Sequence, residues 1–372
     1  MSKLARWIFA SIVCIPVYAH ADRGVFDMNR WENMQNTIRE RATAANISQT
    51  VIDSTLRNMA LIPSIIKSDA NQSEFKLTLD EYLDKTVNQT RITQGKKMRM
   101  RYPTLLSRVD KMYGIPPHVM LAFWGMESNY GAVKARHQLT HAFFTLMYEG
   151  RRETFFGNQL LALMKIADKN KLDINSIHGS WAGAMGHFQF IPTTLAQYGA
   201  DGNGDKRIDI INNITDAMFS AGNYLNKLGW NKNEKIVRQV ILPGDFDITM
   251  LDGKTKLTLP QWAALGVTNP DGTPIPQREI EAGLVADVAS INAEREAIRQ
   301  ATIEAAHQAA VAESATYADP TLQEPSYEAD TDIAPLPVIT AYLTYPNFYR
   351  IKKWNNSNWY AIAIAKLADQ LH

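Results

Sequence analysis

The eight residues from Val119 to Met126 are all apolar or glycine, and the next is Glu127, followed by Ser-Asn-Tyr-Gly131. A helix that is apolar on every side belongs in the interior. Pro116-Pro117 precedes it after Gly114-Ile115, and proline is well tolerated in a first helical turn. A carboxyl at the end of a buried apolar helix loses solvation. That favours its protonated form near neutral pH and makes it a proton donor. Taken alone, the stretch also fits a surface glutamate that merely ends a helix.

Met1 to Ala21 reads as a secretory leader. Lys3 and Arg6 precede the uncharged run Trp7–Tyr18, and Ala19-His20-Ala21 offers a small-x-small cleavage pattern. The single cysteine, Cys14, falls inside it, with Val13 rather than a small residue before it, which argues against lipidation. An exported chain of this kind has no disulfides and must be held by burial, which roughly 350 residues can supply. No later apolar run is long enough for a membrane helix. The expected compartment is the periplasm, with membrane association left open. The net charge of +1 hides an asymmetry: Glu281 to Asp332 holds eleven acids and two arginines, so it carries −9 and the remainder +10. A basic body suits an anionic polymer, and export favours an acidic glycan over nucleic acid.

The chain divides into the leader 1–21, an N-terminal helical region 22–113, a central lobe 114–235, a small β-containing region 236–280, an insertion 281–337 and a C-terminal segment 338–372. Helices are expected over Asp27–Ala60, with Ser48 as a cap for the helix from Gln49. Phe75–Tyr113 continues helical, with a solvated basic face at Arg91, Lys96, Lys97, Arg99 and Arg101. Val240-Ile241-Leu242, Phe246, Ile248, Leu257 and Leu259 alternate around Pro-Gly and Asp-Gly turns and predict strands. Ala282–Ser314 is alanine-rich and predicts a long helix; Thr316–Pro337 predicts a linker.

Three further stretches carry chemistry. In His178-Gly-Ser180-Trp-Ala-Gly-Ala-Met-Gly-His-Phe-Gln189-Phe190-Ile-Pro192, glycines let backbone approach a ligand closely. Ser180 and Gln189 offer hydrogen bonds, and Trp181, Phe188 and Phe190 offer apolar faces. A tight helix crossing with a core aromatic cluster would read the same way. Asp201, Asn203, Asp205, Arg207 through its carbonyl, and Asp209 match the oxygen positions of an EF-hand-type calcium loop. Lys206 stands where glycine is usual and Asn212 where glutamate is usual; Asp216 is a later acid able to close the site, and an Asx-rich turn without metal is the alternative. Finally, Tyr345 to Tyr360 interleaves tyrosine, tryptophan and asparagine, which suits sugar rings or a staple for the C-terminus. The histidines lack zinc spacing, and no phosphate loop or serine elbow is present.

Together these stretches resemble the B-type, membrane-bound lytic murein transglycosylases: Gly125-Met-Glu127-Ser-Asn-Tyr-Gly131, then Gly179 to Pro192, the Asp201 loop, Asn223-Tyr224, Asn347-Phe-Tyr and Trp354-Asn-Asn-Ser. The resemblance spans roughly 27–276 and 343–371. It implies a mainly α (α+β) fold: a core like that of goose-type lysozyme, an N-terminal helical domain and a small β element. It implies cleavage of the MurNAc–GlcNAc bond of peptidoglycan with a 1,6-anhydro product. Glu127 would serve as acid and then base, and no cofactor would be needed for chemistry. Ser180, Gln189, Phe190, Tyr224, Asn355 and Tyr360, and by spacing Tyr82, would hold the sugar. The Asp201 loop would hold a structural calcium. A hydrolytic muramidase using the same glutamate, and a non-catalytic peptidoglycan-binding scaffold, are the rival readings. The segment 281–332 has no counterpart in the family pattern; a lid, a docking arm for a protein partner and a spacer are its three readings.

Overall fold

The computed structural model describes residues 26–70, 77–316 and 336–372; the expected leader and nearly all of the linker at 316–337 lie outside them. Helices α1 (Met28–Ala44), α2 (Gln49–Arg57), α3 (Pro63–Ala70), α4 (Leu79–Thr86), α5 (Gln89–Arg101) and α6 (Pro103–Tyr113) lead to the central helix α7 (Pro117–Ser128). Next come β1 (His137–Gln138), α8 (Leu139–Glu149), α9 (Glu153–Asn170), β2 (His178–Gly179), α10 (Pro192–Tyr198) and α11 (Ile214–Lys227). The chain finishes with β3 (Val237–Leu242), β4 (Leu257–Thr258), α12 (Leu259–Ala264), β5 (Glu281–Val285), α13 (Val288–Thr316), β6 (Ile339–Thr344), α14 (Pro346–Trp354) and α15 (Asn358–Asp369).

Helix α7 is the axle that its composition demands. Val119 to Gly125 are buried without a break, and α5, α6, α11 and α15 pack around it. One hydrophobic core runs from Met34 in α1 to Leu371 beyond α15, so the N-terminal helices and the central lobe share it. A second core, around Trp262, Leu284 and Leu343, lies in the β region. There the strands form an antiparallel sheet in the order β3-β6-β5-β4.

Several local expectations are corrected. Ala282–Val285 is strand, not the start of the long helix, which begins at Val288. The sheet therefore takes two strands from outside 236–280: β5, and β6 from the C-terminal segment. Phe246 and Ile248 lie at a 3-10 turn rather than in a strand. Ser48 occupies the N-cap position of α2 but makes no capping bond. Its hydroxyl and amide both donate instead to the Asp168 carboxylate of α9, in charge-assisted bonds. The basic face of α5 is only partly solvated: Arg99 donates to the Leu371 carbonyl, and Arg91 turns inward to the Thr86 carbonyl.

At the start of α7 the His118 ring lies 3.7 Å, centroid to centroid, from that of His372, tilted by 32°. Burial, with His372 and Arg99 adding to it, holds the His118 pKa down to about 4, against 6.5 in a free chain. The folded state thus prefers the neutral ring. Its contribution is complete above pH 6.5 and is lost as the pH falls from 6.5 toward about 4, because the unfolded chain takes up the proton first. His118→Gln is expected to flatten the acid limb of a stability–pH curve inside that window. An unchanged slope there would refute this.

Candidate active site

Helix α7 ends abruptly. Asn129 and Tyr130 both have left-handed backbone, at φ 48° and 60°, and Gly131 follows at 83°. Two consecutive non-glycine residues in that region are costly and persist only where the surroundings over-determine them. Here the Tyr130 hydroxyl folds back to donate to the Arg91 carbonyl, and burial pushes its pKa up. The Ser128 hydroxyl donates to the His187 carbonyl at 2.7 Å and accepts from the Gly131 amide. The Trp124 indole, which can only donate, reaches His187 Nδ1 at 3.1 Å, so Nδ1 is the bare nitrogen; burial lowers the His187 pKa and favours that neutral ring. Glu127 is therefore presented on a helix end braced against both α5 and the 178–190 loop.

That loop is wound on its glycines. Gly186 has φ 72°, and a Cβ there would lie 2.4 Å from the Ile210 carbonyl oxygen. Such crowding admits no side chain.

Glu127 opens onto a cleft of about 560 Å³. Tyr82, Gln189, Asn355 and Tyr360 line it with Glu127, which is the only carboxylate among the described lining residues. Glu127 Oε1 accepts from the Trp354 indole at 2.9 Å and from the Tyr360 hydroxyl at 2.5 Å. Two donors on one oxygen, from two different helices, fix the orientation of the carboxyl group. The Gln189 amide donates to the Gly186 carbonyl, from a backbone at φ 49°.

The other expected sugar-binding residues stand elsewhere. Phe190 is buried and packs on Trp354 and Tyr224, with ring centroids at 5.5 and 6.0 Å. Tyr224 stacks between Tyr198 and Trp354; burial pushes its pKa up to about 12, and its hydroxyl donates to the Lys353 carbonyl. These rings support Trp354 from behind. Ser180 closes a turn, accepting from the Ala184 amide. Phe188, at 1% exposure, is core rather than an open face, because the loop folds it beneath itself. The sequence reading missed Trp354 as a partner of the glutamate, and missed Lys85, Thr86 and Arg91 as part of the cleft wall.

In the acidic loop, Asp201, Asp205 and Asp216 each bring one carboxylate oxygen within 4.8 Å of the others. Lys206 adopts the left-handed conformation, φ 70°, that the usual glycine would supply. Asp201 accepts from the Gly204 and Lys206 amides, and Asn203 accepts from the Asp205 amide. The Arg207 amide donates to Asp205, whose pKa is lowered by the Asn203 side chain and then by that amide. Asp209 turns away to accept from the Ile211 and Asn212 amides. Asp216, the weaker candidate from sequence, is fully buried and accepts from the Gly202, Asn203 and Asp209 amides.

A family model described as the transglycosylase SLT domain matches residues 30–298 and 286–369. The chain belongs to this family. Membrane-bound lytic murein transglycosylase B of Escherichia coli (strain K12) is 30% identical over 188 residues, covering 50% of this chain and 51% of that protein. The chain thus spans about half the length of this curated relative. The solved structure of SltB3 from Pseudomonas aeruginosa, in complex with NAG-anhNAM-pentapeptide, superposes with a TM-score of 0.73 at 30% identity, over 92% of this chain and 79% of that one. The Escherichia coli lytic transglycosylase Slt35, in complex with calcium, gives 0.69 at 23% identity over 91% and 92%. The fold is lysozyme-like and mostly helical, as expected.

Proposed function

We propose that this protein is a lytic transglycosylase that cleaves the bond between MurNAc and GlcNAc in peptidoglycan, with Glu127 as its single acid and base. The observation that carries the reading is Glu127 itself: one carboxyl group, held by Trp354 and Tyr360, in a cleft whose described lining has no second acid. Ordinary glycosidases need two carboxylates flanking the scissile bond, one of them as base or nucleophile. With one, the substrate must supply the missing nucleophile. Glu127 donates its proton to the glycosidic oxygen as the C1–O bond breaks. The sugar's own N-acetyl group shields the positive C1. The Glu127 carboxylate then takes the proton of the same sugar's 6-hydroxyl, and O6 bonds to C1. No water enters, and the product is a 1,6-anhydro sugar. Trp354 and Tyr360 stabilise the carboxylate between the two proton transfers. Tyr82, Gln189 and Asn355 supply sugar contacts.

The site of action is the periplasm, reached by export. Among the described residues no helix is long and apolar enough to cross a membrane. The acidic loop holds calcium through Asp201, Asp205 and Asp216: three carboxylate oxygens already converge, and such hard donors suit that ion. The ion would neutralise their mutual repulsion and take no part in the chemistry.

The reading is tested by mass spectrometry of the soluble products released from purified sacculi. Products lighter by one water than their reducing counterparts are expected. Hydrated, reducing products would make the protein a muramidase, and binding without release would make it a scaffold.

A further inference from the structure

On the other side of α14 from the cleft lies a second cavity of about 430 Å³, between that helix and the sheet. Pro346, Tyr349, Arg350 and Lys353 recur at helical spacing along α14 and line it, and Lys256 faces them from the segment leading into β4. The lining charges are three cations and one exposed acid, Glu281. Arg350 is already engaged, donating to Glu234 at 2.7 Å and to Asn347 at 2.9 Å. Lys256 makes no ion pair among the described residues. Its ammonium lies 3.5 Å from the centre of the Tyr349 ring and donates only to the Gly253 carbonyl.

Lys256 is exposed, but its ammonium end is placed by the Tyr349 ring and the Gly253 carbonyl. The Tyr349 hydroxyl is pinned by the Thr344 hydroxyl and the Gly253 carbonyl, both at 2.6 Å. A Cβ on Gly283 would stand 2.8 Å from the Lys256 ammonium and 2.6 Å from the Tyr349 hydroxyl, so the sheet leaves room for both. Partial burial pulls the Lys256 pKa down to about 8, although Asp252 and Glu281 oppose it. An ammonium in that condition gains from an added anion.

We propose that this cavity binds a carboxylate of the peptide carried by the glycan strand, with Lys256 and Lys353 as the receiving cations and the Tyr349 ring as an apolar floor. The proposal rests on the peptidoglycan reading above. The cavity shares a wall with the cleft: α14 carries Trp354 to Glu127, and the Tyr224 hydroxyl that supports Trp354 donates to the Lys353 carbonyl. On that reading, a strand in the cleft lies against the helix whose other side carries these cations. Neither lysine touches Glu127.

The test uses the full chain with Glu127→Gln, so that nothing is turned over. The probes are a free tetrapeptide of the wall type, a sugar-only GlcNAc oligomer and vesicles of anionic phospholipid. Lys256→Met and Lys353→Glu, separately and together, are expected to weaken tetrapeptide binding tenfold or more in the double variant and leave oligomer binding unchanged. In the chain with Glu127 intact, the same changes should raise KM on peptide-bearing glycan, leave kcat unchanged, and have no effect on glycan stripped of its peptides. Lys353→Glu alters only an exposed side chain, so its effect is independent of any loosening by Lys256→Met. Tetrapeptide binding that is unmoved, or that falls in step with oligomer binding, would overturn the proposal. So would loss of vesicle binding alone, which would make the cavity a phospholipid headgroup site. Failure of the activity reading would appear separately, as no product from stripped glycan with the unsubstituted protein.

Discussion

Glu127→Gln is expected to lower product release from peptidoglycan about a thousandfold or more while sugar binding and unfolding stay near those of the unsubstituted protein. A positioned general acid or base contributes about 10² to 10⁴ in rate, and here one group serves in both roles. The amide is nearly isosteric, and its oxygen can still accept from Trp354 and Tyr360. The local structure therefore has no reason to change. The amide cannot give up a proton to the leaving oxygen, and no other described lining residue carries a carboxyl. Initial rates at saturating substrate, beside oligomer affinity and a thermal scan, check all three parts. Activity within tenfold of normal would remove Glu127 from the mechanism.

Asp216→Ala is the substitution with the largest expected cost in stability. The side chain is wholly buried, and its two oxygens accept from the amides of Gly202, Asn203 and Asp209. Alanine leaves those three donors unpaired at about 1–3 kcal/mol each where buried, so a loss of about 3 kcal/mol or more follows. It should be seen with a chelator present, because it needs no ion. Calcium is a separate effect. At a free concentration a hundred times its Kd, an ion bound only by the folded state adds about 2.7 kcal/mol. Asp201→Asn with Asp205→Asn should abolish that increment, read as the difference between calcium and chelator, whatever the loss of one accepted bond at each residue does to the midpoint in chelator. A midpoint indifferent to calcium in the unsubstituted protein would reduce the loop to a hydrogen-bonded turn.

The features readable from sequence were those whose cause is local. The unbroken apolar run at 119–126 admits only a buried helix, and the carboxyl at its end is set there by the chain itself. The regular oxygen spacing at 201–209 announces a polar loop wherever it sits. What escaped reading depends on partners far away in the chain. Ala282-Gly-Leu-Val285 runs into alanine-rich text and reads as helix; pairing with Tyr342–Thr344 makes it strand. Arg91 reads as one member of a solvated charge run; the Thr86 carbonyl at the end of α4 turns its guanidinium inward. Trp354 lies among six other aromatics between Tyr342 and Tyr360, and nothing local says which of them reaches a glutamate 227 positions earlier. Asp216, named from sequence as a later acid able to close the site, is buried because the loop before it folds over the first turn of α11.

Strands β5 and β6 are hydrogen-bonded neighbours, so everything from 286 to 338 is topologically the loop of a hairpin, however long. A chain severed within it would become two polypeptides joined by the sheet and by the packing of α15 against α7 and α4. The shorter one would hold β6 between β3 and β5 and would carry Trp354, Asn355 and Tyr360. Glu127 and the donors that orient it would then belong to different molecules. The architecture is that of a split protein, whose two pieces would have to meet by fragment complementation before the cleft is complete.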